Sequence, residues 1–344
     1  MVFAIATLGA APVHAHHAAS ATFDVNEAIE IEGYVDEFVF KNPHVNLFLT
    51  VIDDEGVETQ WLATAPATAP MRRWGWTEDI IQEGQYLRLL GRPRRDGGPM
   101  ILVDGQPFRE GIDTVFEIDP ADGSVIRALG ANPVDMRTAE MLAPMLSDGR
   151  PNLTGTWLGS VGGSTNRTPP PWNEVGAAIQ ATFDSATDPA FTECEAPGLV
   201  RTVMTINSVE IEQHDDWVSV TFEGGGEGRL INLNGRGPET DEHMRLGHAV
   251  ARYENDALVI ETTQLESRLS LITGNLLSNQ TTTVETYRRA DDPERGPLLE
   301  LSLVITDPVY LDGPWEMRWH KPYAADEYEF TGLDCRVPLG ARSN

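Results

Sequence analysis

Basic residues, and lysine above all, are scarce in this chain. It has 25 Lys and Arg against 53 Asp and Glu, which gives a net charge of -28, and the only lysines are Lys41 and Lys321. Binding to nucleic acid or to an anionic membrane requires a positively charged face that attracts phosphate. The composition therefore argues against both partners.

Long apolar runs and familiar catalytic motifs are also missing. No segment reaches the roughly 18 consecutive apolar residues of a membrane-spanning helix, so we expect no membrane insertion of the mature chain. The chain contains no Gly-x-Ser-x-Gly, phosphate loop, dinucleotide fingerprint or His-Glu-x-x-His motif. Serine hydrolase, kinase, Rossmann oxidoreductase and zinc protease functions are therefore unsupported.

The N-terminus predicts export. Residues 2–11 form a short apolar run, and Val13-His14-Ala15 has the small-x-small pattern of a signal peptidase site, although the usual positive n-region is absent. We interpret residues 1–15 as a signal peptide, with a flexible N-terminus as the alternative. The mature protein is then expected in the periplasm or outside the cell.

Only two cysteines occur, Cys194 and Cys335. Two cysteines in an exported chain predict one disulfide, which would stabilise the fold by roughly 4–5 kcal/mol in the chain-entropy model. Two free buried thiols are the alternative.

Strand patterns dominate residues 16–118. Apolar and polar residues alternate over 29–40, 45–51 and 57–63, a short helix is expected before Gly75, and strands follow at 86–91 and 100–103. Three strands, a helix and two strands is the order of an OB-fold barrel. Residues 119–152 are rich in Pro, Gly, Asp and Ala and are predicted to be a linker.

A second, larger β-domain is predicted over residues 153–344. After Gly155-Thr156-Trp157 and one helix at 174–183, the chain pairs as hairpins: 209–213 with 218–222, 249–253 with 258–262, and 282–288 with 298–306. A further strand begins at Trp315. About eight meandering antiparallel strands favour a closed or nearly closed barrel that can hold a ligand, with a β-sandwich as the alternative. The Gly-x-Trp opening resembles that of lipocalins. The predicted fold class is thus all-β, with an OB-like barrel followed by a lipocalin-like barrel.

Several stretches resemble an uncharacterised family of exported proteobacterial proteins. In the N-terminal half they are His16-His17, Phe23-Asp24, Asn42-Pro43-His44 and Arg72-Arg73-Trp74-Gly75-Trp76. Gly247-His248-Ala249-Val250 to Glu261-Thr262, and Thr306-Asp307-Pro308 with Pro314-Trp315, are similar to a companion β-domain of such proteins. The resemblance implies export and β-architecture and brings no established reaction.

A metal site is one functional hypothesis. Cleavage after Ala15 would leave His16 as the first residue, and a terminal amine with imidazoles from His16, His17 and His44 is a nitrogen-rich set that Cu(II) favours. The alternative is a flexible terminus and a strand corner at Asn-Pro-His.

A catalytic hypothesis concerns the hairpin around Asn255-Asp256. Alternation places His248 and Arg252 on one face opposite Glu261. If that face lines the barrel interior, Arg252 could hold Glu261 while His248 gives or takes a proton. If it faces water, the same residues form an ordinary surface with an ion pair worth under about 1 kcal/mol.

An aromatic group near the C-terminus could form the wall of a ligand pocket, or the core and its rim: Tyr310, Trp315, Trp319, His320 and Tyr323. The sequence thus predicts an exported protein that binds a small apolar molecule in the C-terminal barrel, or an accessory protein with a protein partner. A cofactor-free isomerase, cyclase or hydratase, and a copper-binding protein, are the alternatives. No cofactor is required except copper in the last case.

Overall fold

Two β-barrels make up the structure, which is a computed structural model. It describes residues 22–42, 44–103, 115–130, 143–159, 164–166, 168–183, 198–204, 207–224, 228–236, 241–269, 276–293, 296–324 and 328–331. The all-β prediction, with a small barrel followed by a larger one, is confirmed.

The N-terminal barrel has OB-fold topology. Its elements are β1 (Ile29–Val39), β2 (Val45–Ile52), β3 (Glu58–Ala65), helix α1 (Thr68–Arg73), β4 (Tyr86–Pro93) and β5 (Met100–Leu102). The strand order is β1-β2-β3-β5-β4, and β1 pairs with β4 to close the barrel. Strands β3 and β5 are parallel, while the other pairs of the closed barrel are antiparallel.

Strand β1 closes this barrel because it serves two neighbours. Its first half, from Ile29 to Tyr34, pairs with β4, and its second half, from Tyr34 to Val39, pairs with β2. A bulge between Val35 and Glu37 increases the local bend, as bulges do at barrel corners. Two further strands, β6 (Val115–Ile118) and β7 (Val125–Ala128), extend the sheet beyond β4, so β7 lies inside the predicted linker.

The C-terminal barrel is a nine-stranded sheet with order β18-β17-β16-β13-β12-β11-β10-β9-β8. Its strands are β8 (Gly155–Trp157), β9 (Val209–Gln213), β10 (Trp217–Phe222), β11 (Gly228–Asn232), β12 (His248–Glu254), β13 (Ala257–Thr263), β16 (Thr282–Asp292), β17 (Gly296–Thr306) and β18 (Trp315–Pro322). A separate pair consists of β14 (Arg268–Leu269) and β15 (Leu276–Leu277). The helices are α2 (Glu174–Gln180), capped by the Asn173 side chain, and α3 (Leu199–Met204).

The two ends of this sheet nearly meet. The Leu158 amide donates to the Pro322 carbonyl (2.7 Å), and the Ala324 amide donates to the Thr156 carbonyl (2.9 Å). These bonds bring β8 next to the end of β18, so the predicted nearly closed barrel is confirmed. The sheet is mainly antiparallel, and the pair β11 and β12 is parallel.

The inward face of five neighbouring strands is organised in rungs, one residue from each strand. The first rung is Ala249, Thr262, Thr283, Ile305 and Trp315. The second rung is Ala251, Ile260, Glu285, Leu303 and Met317. The third rung is Tyr253, Leu258, Tyr287, Leu301 and Trp319.

The second and third rungs are packed. Ile260, Leu258, Tyr287 and Leu303 have no accessible surface, and Trp319 is 1% exposed. A void large enough for a water molecule would give its lining side chains accessible surface. An enclosed ligand space is therefore absent around these five side chains, and the barrel interior here is a hydrophobic core.

Candidate functional site

The predicted catalytic residues lie on the outside of the barrel. The predicted register is confirmed, with His248 opposite Thr263 and Val250 opposite Glu261. Alternation, however, turns Ala249, Ala251 and Tyr253 inward, which leaves their neighbours on the outer face. The side chains of His248, Arg252 and Glu261 therefore do not line the lumen, and their catalytic role stays a prediction.

These outer side chains form a surface ion-pair cluster. The Arg252 and Glu261 side chains are 42% and 45% exposed, and Nη1 of Arg252 lies 2.7 Å from Oε1 of Glu261. Arg252 also pairs with Glu254. Nε2 of His248 lies 3.3 Å from the Arg236 carbonyl oxygen. The arrangement agrees with the alternative interpretation of the sequence, in which these residues form a solvated surface with an ion pair.

The predicted aromatic wall divides between the core and the surface. Trp315 and Trp319 are buried in the core, and Tyr323 packs edge-on against Trp157 with ring centroids 5.0 Å apart. His320 faces outward beside Glu300, at 3.9 Å. Tyr310 is partly buried near α2, where its carbonyl accepts from the Asn173 amide. Two of the five residues are thus core side chains.

The copper and disulfide predictions fall mainly outside the described residues, which include none of His16, His17, Cys194 and Cys335. Nδ1 of His44 lies 3.2 Å from the Ala65 carbonyl oxygen. Burial lowers the pKa of His44, and the nearby Arg201 acts in the same direction. Within the described ranges no three His, Cys, Asp or Glu side chains cluster as metal ligands would. Both hypotheses stay predictions.

A buried ion pair that was not predicted from the sequence crosses the barrel interior. Nη1 and Nη2 of Arg229 each donate to one carboxylate oxygen of Glu285, both at 2.7 Å, and the Tyr287 hydroxyl donates to the same carboxylate at 2.6 Å. All three residues are buried. Strands β11 and β16 are separated by β12 and β13. Because β12 contributes only the methyl group of Ala251 to this rung, the long Arg229 side chain has room to reach across.

The electrostatics of this triad follow from burial and pairing. Burial alone would lower the pKa of Arg229, but the Glu285 carboxylate raises it above its ordinary value. Burial and Glu285 both raise the pKa of the Tyr287 phenol. Arg229 therefore stays a cation and the Tyr287 phenol stays neutral, and the hydrogen bonds of the triad are directed at one another rather than at a ligand. Arg229 shares its inward face with Ile231, which was the available sequence signal.

Two buried hydroxyls on the first rung have no such partners. Thr262 and Thr283 lie directly opposite each other on β13 and β16, are 0% and 1% exposed, and point inward. Neither hydroxyl oxygen makes a hydrogen bond with any group in the described part of the chain. A buried donor left unpaired costs about 1–3 kcal/mol. The first rung therefore has two unsatisfied polar groups, which a ligand or a water molecule can reach only if the neighbouring side chains move apart.

A second buried polar cluster joins the two barrels, and we call it the junction. Helix α1 and the β1–β2 loop of the N-terminal barrel meet the segment after β10 and the segment after β18. Its main members are Asn42, Thr68, Arg72, Arg73, Ser208, Glu223, Tyr328 and Thr331. No local sequence pattern indicates the junction, because its members are far apart in the chain and only the folded barrels bring them together.

Glu223 is the centre of the junction. Its side chain has no accessible surface, and it accepts hydrogen bonds from the Tyr328 hydroxyl, the Thr68 hydroxyl (3.3 Å) and the Thr331 amide (3.1 Å). Arg72 lies 4.0 Å away. Burial and the adjacent carboxylate raise the pKa of Tyr328, which keeps this hydroxyl a donor. Donors from both barrels thus converge on one buried carboxylate.

Further contacts seal the junction. Nη1 of Arg73 donates to the Gly159 carbonyl at 2.8 Å, and Nδ2 of Asn42 donates to the Thr331 carbonyl at 3.0 Å. Gly224 has a φ of +79°, and a Cβ there would meet Nδ2 of Asn207 at 2.8 Å. These contacts dock the barrels against each other through polar groups that are largely shielded from water.

Lys321 lies beside the junction at the end of β18. It has no accessible surface, and its Nζ donates to the Asn207 carbonyl at 2.6 Å. Burial, with a smaller contribution from the charge of Arg73, lowers the pKa of Lys321 to about 7. Lys321 continues the inward alternation of Trp315, Met317 and Trp319, so its burial could have been read from the pattern. It is also one of only two lysines in the chain.

The comparisons with known proteins concern the N-terminal barrel. The described residues contain no helix with the length and apolar character needed to cross a bilayer. No curated protein shows significant similarity to the chain. Residues 4–102, which include β1–β5 and α1, match the model of a family of unknown function, DUF6152. The N-terminal barrel is therefore similar to an uncharacterised family.

Proposed function

We propose that the chain is an exported small-molecule-binding protein and that its ligand is held at the first rung of the C-terminal barrel. The observation that carries this proposal is the pair of buried, unpartnered hydroxyls at Thr262 and Thr283. The first rung is as closed as the other two, since Thr262, Thr283 and Ile305 are 0–1% exposed, so entry of a ligand requires these side chains to move apart. The outward placement of His248, Arg252 and Glu261 favours binding over catalysis.

The chemistry of the first rung indicates the class of ligand. Its other members are Ala249, Ile305 and Trp315, which offer only apolar surface and an indole edge. The Trp315 indole already donates to the Thr168 carbonyl at 2.8 Å. A ligand here is a small, largely apolar molecule with an oxygen acceptor that takes hydrogen bonds from the two hydroxyls.

The test compares retained ligands by native mass spectrometry of protein purified from an exporting host. The double variant Thr262→Val and Thr283→Val removes both hydroxyls with little change in side-chain shape. We expect the wild-type protein to carry an extra non-covalent mass that is lost in this variant. Because the variant removes unpaired polar groups, its thermal stability should be equal to or higher than that of ligand-free wild type.

The matched control is the double variant Thr263→Val and Thr282→Val, which changes two exposed hydroxyls on the outer face of the same strands. It should retain the extra mass. If wild type and both variants are free of ligand and also fail to bind a panel of apolar carbonyl compounds, the two hydroxyls hold only water and the proposal fails.

Export is the second part of the proposal, supported by the signal-like residues 1–15. The mass of the purified mature protein reports the cleavage directly. A protein recovered from the cytoplasm with residues 1–15 intact would contradict export without affecting the ligand test.

A further inference from the structure

We propose that the junction is a pH-sensitive contact, which holds the two barrels together while Lys321 is uncharged and loosens when Lys321 takes up a proton. This proposal goes beyond ligand binding and does not depend on it. It concerns how the N-terminal barrel docks.

The surroundings of Lys321 support this proposal. Nζ is fully buried and has one hydrogen-bond partner in the part of the chain that the structure describes, the neutral carbonyl of Asn207. The charged group that faces it from the N-terminal barrel is the guanidinium of Arg73. A second cation at Nζ would therefore lack water and lie next to a like charge.

The other charged groups of the junction do not compensate a positive charge on Lys321. Arg72 adds a further cation, and the one described carboxylate at the centre, Glu223, is already occupied by Tyr328, Thr68, Thr331 and Arg72. Arg73 is bound to the Gly159 carbonyl, which fixes its charge near the interface. The docked state thus disfavours a charged Lys321, and movement of α1 away from the barrel would admit water and remove Arg73.

The direction of the pH effect follows from the two states. In the docked state the pKa of Lys321 is lowered to about 7, whereas a solvated lysine in the open state titrates near its ordinary value of about 10.4. Between these values the open state binds more protons, so falling pH favours opening by up to about tenfold per pH unit. Below about pH 7 both states are charged and Lys321 makes no further contribution.

The first measurement is NMR of the full-length protein grown with lysine labelled by ¹³C at the ε carbon. The chain has two lysines, so the spectrum has two signals, which the variant Lys41→Met assigns. We expect the Lys321 signal to titrate near pH 7. The variant Arg73→Met should move this midpoint upward, because it removes the neighbouring positive charge.

The second measurement is small-angle X-ray scattering between about pH 7 and 10, which reports separation of the barrels. Wild type and Lys41→Met should become more expanded as the pH falls through this range, whereas Lys321→Met should stay compact throughout. A Lys321 midpoint near its solvated value, or an expansion that persists in Lys321→Met, would overturn the proposal. If Lys321→Met does not fold, the midpoint and its shift in Arg73→Met still decide it.

Discussion

Arg229 and Arg252 show how the same kind of ion pair has different consequences inside and outside the barrel. Arg229 and Glu285 are removed from water, so each charge depends on the other for compensation. Arg252 and Glu261 are each more than two-fifths exposed, and water screens both charges whether or not the pair forms. Burial, rather than the 2.7 Å separation that the two pairs share, decides their energetic importance.

Removing one member of the buried pair should therefore be far more harmful than removing the whole triad. We expect Arg229→Met to lower the free energy of unfolding by about 3–5 kcal/mol, because it leaves the Glu285 charge uncompensated. The triple variant Arg229→Met, Glu285→Met and Tyr287→Phe should recover most of this loss, since no buried polar group stays unpaired. Urea denaturation measures the free energy of unfolding of both variants.

The control is Arg252→Met, whose effect should be under about 1 kcal/mol. If the triple variant is as unstable as Arg229→Met alone, the triad contributes through shape and not through charge compensation.

Individual elements were largely predictable from alternation. Strands β9 and β10, with Val209, Ile211, Val218 and Val220 buried on one face, form the predicted hairpin, and the register of β12 with β13 is also as predicted. Local pattern is sufficient to predict these hairpins because their strands are joined by short turns. In the turn between β12 and β13, Asn255 and Asp256 adopt positive φ angles of 46° and 62°.

Which face of a hairpin turns inward was not predictable where both faces carry apolar residues. Strand β13 has Leu258 and Ile260 on one face and Val259 on the other, so its own pattern is ambiguous. The choice is made by neighbours distant in sequence, such as Glu285 on β16, which must meet Arg229 in the interior. The junction was unpredictable for the same reason, since Thr68 and Glu223 are 155 residues apart.

The closure between β8 and β18 is expected to depend on Gly155. This residue has a φ of +112°, and a Cβ would overlap the Tyr323 hydroxyl. Gly155→Ala should therefore destabilise the protein by more than backbone strain alone, and it should expose the amides of Leu158 and Ala324 to hydrogen exchange. Gly235→Ala is the control, because Gly235 has a φ of +67° and no atom within 4 Å of the new Cβ.

Gly235→Ala should cost only the roughly 1–2 kcal/mol of a left-handed backbone. Equal losses in the two variants, with protected amides at Leu158 and Ala324, would show that contact with Tyr323 does not matter for closure.

At the scale of the whole molecule, the excess of acidic charge sets the electrostatics. A net charge of -28 implies repulsion among carboxylates spread over both barrels. Cations are concentrated by contrast at the junction, where Arg72 and Arg73 lie close to one carboxylate, Glu223, and Lys321 lies near Arg73. Repulsion on the surface thus acts between anions, whereas repulsion at the junction acts between cations. The two respond to different conditions.

Salt should therefore stabilise the folded chain. Raising sodium chloride from about 0.02 to 0.5 M shortens the Debye length from roughly 20 to 4 Å and screens repulsion between exposed carboxylates. We expect the melting temperature at neutral pH to rise over this range, as measured by calorimetry. A fall would mean that surface ion pairs such as Arg252 with Glu261 outweigh the net repulsion.

The bridge from Trp157 to Tyr323 also constrains how the chain can be assembled. Strand β8 cannot complete its pairing until the segment after β18 has been synthesised. That segment leaves the ribosome more than 150 residues after β8. Until then both β8 and β17 present open edges to other chains. A polypeptide that chaperones keep unfolded until synthesis is finished would avoid this hazard.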